Sequence, residues 1–128
     1  MNQLEENRIM GTEADEQVAI FEWADWNKYR VPELELLYHV PNGGKRDIKT
    51  AIKLKQEGVK AGVPDIVLPV SRGGYHGLYI ELKVGKNKPT KEQKEWLESL
   101  KQEGYYTTWC IGSQEAIKVI EEYLQMMR

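Results

Sequence analysis

Two segments of this 128-residue chain carry charge where an apolar strand should hold none. Asp65 runs directly into Ile66-Val67-Leu68, and Leu78-Tyr79-Ile80 runs directly into Glu81-Leu82-Lys83. Both stretches have the β-branched and aromatic content of strands, and an unpaired charge in such a place is costly to bury. Alternation puts Glu81 and Lys83 on one face of the strand and turns Leu82 to the other. If strand 65–70 pairs with strand 76–84, then Asp65, Glu81 and Lys83 converge at one place on the sheet. Two carboxylates beside a lysine suit a hard divalent cation.

The rest of the pattern predicts helix 13–28, strand 35–40, helix 46–57, strands 65–70 and 76–84, helix 90–103, strand 105–111 and helix 113–126. Thr12 before Glu13, Asp15 and Glu16 is a helix start, as is Ser113 before Glu115. Gly58 and Gly104 stand where helices should stop. Gly73-Gly74 reads as a hairpin tip, and Pro69 ends its strand early or marks an edge. Residues 1–11 read as a loose polar tail and 12–128 as a single domain. Trp23, Trp26, Trp96 and Trp109 fall where core packing is expected. His39, at a strand end, reads as structural, and His76 sits in the hairpin without evident partners.

Val63-Pro64-Asp65, a hairpin-length spacer and Glu81-Leu82-Lys83 resemble the PD-(D/E)XK nuclease signature. Three further stretches resemble its VRR-NUC family more narrowly: Pro41-Asn42-Gly43-Gly44-Lys45-Arg46, Gly62-Val63-Pro64-Asp65, and Pro89-Thr90-Lys91-Glu92-Gln93. The resemblance implies an α/β fold of restriction-endonuclease type, a mixed sheet flanked by helices, with helix 46–57 inserted after the first strand. It implies Asp65, Glu81 and a helix glutamate as ligands of Mg²⁺ or Mn²⁺, joined by the backbone carbonyl of Leu82, with Lys83 as a catalytic lysine that orients water or neutralises the phosphate. Glu13 matches the helix glutamate, because Gln17 follows one turn later as the family pattern asks; Glu16 is the rival. Gln17 and Gln93 resemble supporting polar positions. The resemblance also brings the Asn42-Gly43-Gly44 loop to DNA, since glycines let backbone amides approach phosphates.

Net charge is −2, so the chain is no generally basic nucleic-acid binder. The charge is unevenly placed: residues 1–35 sum to −6, whereas 45–60 and 83–94 each sum to +4. The two basic segments flank the candidate site, and Lys45, Arg46 and Lys49 are the expected phosphate contacts. Cys110 is alone, which excludes an internal disulfide and a zinc site of several cysteines; a buried strand position suits it. No apolar run approaches a membrane span and no signal pattern opens the chain, so a cytoplasmic protein is expected, in host cytoplasm if phage-encoded.

The expected activity is metal-dependent hydrolysis of DNA phosphodiesters, with no histidine or serine nucleophile needed. Three classes stay open: a structure-selective endonuclease on branched DNA such as four-way junctions, a general exonuclease or nickase, and a non-catalytic DNA-binding relative. Resemblance to compact VRR-NUC proteins favours branched DNA and a homodimer. Ile117, Ile120 and Leu124 of the last helix offer one candidate dimer face, with core packing as their competing use.

Overall fold

The computed structural model describes residues 11–41 and 47–128. Among the described residues four helices flank a mixed four-stranded sheet: α1 (Glu13–Asn27), a 3-10 turn (Pro32–Leu36), β1 (Tyr38–His39), α2 (Ile48–Gln56), β2 (Ile66–Leu68), β3 (Leu78–Lys83), α3 (Lys91–Gln102), β4 (Tyr106–Ile111) and α4 (Gly112–Leu124). The strands lie in the order β1-β2-β3-β4, the first three antiparallel and β4 parallel to β3. Helix α3 makes the crossover that a parallel pair requires.

The sheet has two unlike faces, set by alternation along β3. Leu78, Ile80 and Leu82 are fully buried and join Ile66, Leu68, Cys110, Ile20, Ala116, Ile120 and Tyr123 in one core beneath α1 and α4. Each such side chain contributes about 1.5–3 kcal/mol by leaving water. That apolar face holds β3 in place while its opposite face carries Tyr79, Glu81 and Lys83. Ile120 is wholly inside this core and Ile117 and Leu124, partly buried, pack against it, so the last helix turns its apolar residues toward the core.

Local chemistry explains most element ends. Thr12 and Asp15 form a reciprocal capping box at α1, and Thr90 and Gln93 form another at α3. Asp47 caps α2 through the Thr50 amide. Gly73 and Gly74 both take positive φ between paired Arg72 and Tyr75, the geometry of a two-residue hairpin tip.

Several expectations fail for tertiary reasons. Residues 35–40 do not form one strand: Pro32 opens a 3-10 turn that drives Leu34 and Leu37 into the core, and only Tyr38–His39 reach β2. Pro69 does end β2 at Leu68. Ser113 does not start the last helix, which begins at Gly112; the Glu16 carboxylate of α1 takes up the Ser113 amide, and Glu115 of the helix itself takes up that of Ile111. Trp26 and Trp109 are exposed, at 86% and 39%, rather than packed inside. His76 has partners after all: it stacks edge-on to Tyr105, and a side chain at Gly104 would collide with its ring.

Candidate active site

The register that sets Ile66 opposite Ile80 sets Asp65 opposite Glu81, at the end of the sheet where β2 begins. Asp65 is firmly held. Its Oδ2 accepts from the Leu82 amide at 2.8 Å, and its carbonyl accepts from the Val40 amide at 2.8 Å and from His39 Nδ1 at 2.9 Å. A carbonyl can only accept, so Nδ1 of His39 carries the hydrogen. His39 is therefore structural in a specific sense: it fixes the backbone of the aspartate.

Glu81 is 1% exposed, and as a carboxylate neither of its oxygens has a hydrogen-bond partner. Burial first, then the adjacent Asp65 carboxyl, raises its pKa to about 9, against a smaller opposing pull from Lys83. Without a cation this environment favours the protonated, neutral form of Glu81. Lys83 is 8% exposed and, among the described residues, makes no ion pair within 4.0 Å. Its charge still acts on both Glu81 and Glu13. Glu13 is half-buried; desolvation and then the Asp65 charge push its carboxyl above the ordinary range. The fold thus gathers Glu13, Asp65, Glu81 and Lys83 into one electrostatic neighbourhood.

Glu16 is occupied elsewhere. Its Oε1 accepts from the Ser113 amide at 3.0 Å and lies 3.3 Å from the Ser113 hydroxyl, so it caps α4 from a distant part of the chain. Glu115 reaches back to the Ile111 amide at 2.7 Å and completes that cap. Tying the start of α1 to the start of α4 is what brings Glu13 to this end of the sheet.

The approach to Asp65 is equally built. Gly62 has φ +89°, and a Cβ there would lie 2.9 Å from the Glu92 backbone. Trp96 Nε1 donates to the Ala61 carbonyl at 3.0 Å. The turn leading into Asp65 therefore rests directly on the first turns of α3, and only glycine permits that approach.

The sequence model of the VRR-NUC domain matches residues 4–114. The chain belongs to the VRR-NUC family. A solved structure described as a VRR-NUC domain protein superposes with a TM-score of 0.79 at 36% identity, covering 91% of this chain and 90% of that one. No curated protein matches at a comparable level. Membership implies a nuclease.

The remaining expected positions of this VRR-NUC domain divide. The Leu82 side chain is fully buried in the core, and its amide is the group that holds Asp65. Gln93 uses its carboxamide in the α3 capping box. Gln17 lines a shallow hollow on α1 with Val18, Phe21 and Glu22 and makes no hydrogen bond among the described residues. Lys49 is exposed on the first turn of α2, a helix with no buried residue among those described. Asn42, Gly43, Gly44, Lys45 and Arg46 lie outside the described residues.

Mg²⁺ and Mn²⁺ need hard oxygen donors, and Glu81 presents two buried oxygens that no protein group satisfies. Among the described residues no three His, Cys, Asp or Glu side chains form a ready cage. The fit therefore rests on the donor chemistry of Asp65 and Glu81 rather than on a closed shell. No helix among the described residues is long and apolar enough to cross a membrane.

Proposed function

We propose that this VRR-NUC domain is a metal-dependent deoxyribonuclease that cuts branched DNA as a homodimer. The observation that carries the reading is Glu81: a wholly buried carboxyl with two unpartnered oxygens, set opposite Asp65 and beside Lys83. A structural role alone leaves so costly a group unexplained, whereas a cation site accounts for it.

Asp65, Glu81 and Glu13, with the Leu82 carbonyl as a further oxygen, would hold Mg²⁺ or Mn²⁺. When bound, the ion supplies acidification of water and stabilisation of charge building on the phosphate. The chain's own groups do the rest. The Leu82 amide keeps Asp65 oriented, as His39 and Val40 do from its backbone side. Lys83, nearly buried and close enough for its charge to act on Glu81, would neutralise the phosphate or orient a water. Lys45, Arg46 and Lys49 would bind the DNA backbone.

The branched-DNA preference is supported by resemblance to compact members of the family. The dimer is supported by stoichiometry, since the described residues hold one such centre and paired incision needs two. Labelled four-way junctions, forks and linear duplexes incubated with Mg²⁺ or Mn²⁺, with light scattering at the same concentrations, test both. A dimer that cuts paired strands at the junction is the expected result. A monomer that nicks linear and branched DNA alike would leave a general nuclease, and no cleavage of any substrate would leave a non-catalytic DNA-binding module.

A further inference from the structure

We propose that Tyr38, Tyr79 and Tyr105 form an aromatic shelf that stacks an unpaired nucleobase of the DNA strand held at the carboxylates. The proposal rests on the nuclease reading above and adds the part of the substrate that the site recognises.

The register places the shelf. Tyr38 pairs with Val67 and Val67 with Tyr79, so these three side chains share one row across β1, β2 and β3. The next row along the same face is Asp65 and Glu81, because Ile66, Ile80 and Leu82 point to the opposite, core face. Tyr79 precedes Glu81 by two residues, roughly 7 Å along an extended strand, or about two nucleotides of a stacked DNA strand. The Tyr105 ring meets the Tyr79 ring at 5.1 Å and 86°, and the His76 ring lies edge-on to Tyr105 at 5.8 Å.

These tyrosines differ from Tyr123, which belongs to the core. Tyr123 is buried and its hydroxyl donates to the Val70 carbonyl at 2.6 Å. Among the described residues the hydroxyls of Tyr38, Tyr79 and Tyr105 make no hydrogen bond, and Tyr38 is 48% exposed on a two-residue edge strand. A ring row that is continuous with the carboxylates, partly open and uncharged fits the face of a nucleobase. In paired duplex those faces are covered by their neighbours; at a branch point, flap or frayed end they are free, and aromatic stacking is the sequence-tolerant way to hold them.

The test uses the full chain carrying Glu81→Gln, so that bound DNA is not cut, with two probes of equal length: a paired duplex, and a fork with 2-aminopurine in its unpaired arm. The shelf predicts quenching of the 2-aminopurine on binding. It predicts that Tyr38→Ala, and separately Tyr105→Ala, weaken fork binding by roughly 5- to 150-fold, the range expected for removal of one base stack, and abolish the quenching. Duplex binding should change by less than about twofold, and Tyr38→Phe should behave as the parent, because the ring rather than the hydroxyl does the holding. Equal losses on fork and duplex, no loss on the fork, or a Phe variant as weak as the Ala variant would overturn the shelf. Wild-type protein that cuts DNA while its Tyr38→Ala variant holds the fork normally refutes the shelf alone. Wild-type protein that neither binds nor cuts either probe refutes the nuclease reading and the shelf with it.

Discussion

Replacing Glu81 with glutamine should abolish cleavage and yet stabilise the metal-free protein. The folded chain keeps a proton on Glu81 up to about pH 9, whereas the unfolded carboxyl releases it near its ordinary 4.5. Between those two values the folded state binds more protons than the unfolded state, so this group makes stability fall as pH rises through the window and level off above it. At pH 7 the interval from 4.5 is 2.5 pH units, which costs the fold about 3 kcal/mol. Glutamine has nearly the same shape and carries no charge, so the variant escapes the cost. For a domain of this size about 3 kcal/mol corresponds to a rise in Tm on the order of 10 °C. Thermal unfolding in EDTA at pH 6, 7, 8 and 9 reads it directly: the gap between variant and wild type should open steadily with pH. Saturating Mg²⁺ or Mn²⁺ should then narrow it, because an ion that binds only the folded wild type stabilises that form. A variant less stable than wild type at pH 8, or a gap that stays constant with pH, would refute the picture of a buried, uncompensated carboxyl.

Glu13→Ala and Glu16→Ala should separate cleanly. The first is expected to lose cleavage at nearly unchanged Tm, whereas the second uncaps α4 and should cost about 0.5–2 kcal/mol of stability in denaturant titration; loss of cleavage in the second alone would exchange their roles. Gly62→Ala should destabilise the fold by about 1–3 kcal/mol, from its φ of +89° and its close approach to the Glu92 backbone, and a normal unfolding midpoint would contradict that packing. Replacing Lys45, Arg46 and Lys49 together with Ala should weaken DNA binding and reduce the slope of log affinity against log salt by about 0.9 for each phosphate no longer neutralised; an unchanged slope would make them a solvated face.

Much of the candidate site was legible because its cost is written locally. A carboxylate and a lysine inside Leu78-Tyr79-Ile80-Glu81-Leu82-Lys83 break the apolar run of a buried strand, and two-residue alternation alone separates Leu82 from its charged neighbours. The capping residues of α1 and α3, the glycine stops and the Gly73-Gly74 tip are likewise local, since each depends on a few neighbouring backbone groups.

What the sequence left open concerns partners far apart in the chain. Glu13 and Glu16 lie within one helical turn and look alike as text; the fold distinguishes them because the start of α4 arrives beside Glu16 and uses its carboxylate as a cap. Glu115, not Ser113, closes that helix start, because Gly112 already begins the helix and the Ile111 amide is the group left to satisfy. His39 was legible as a strand-end histidine, but its hold on the Asp65 carbonyl exists only once β1 pairs with β2. The tyrosine group is the extreme case: strand register relates Tyr38 to Tyr79 through Val67 and a ring contact adds Tyr105, relations that no periodicity within one segment can reveal.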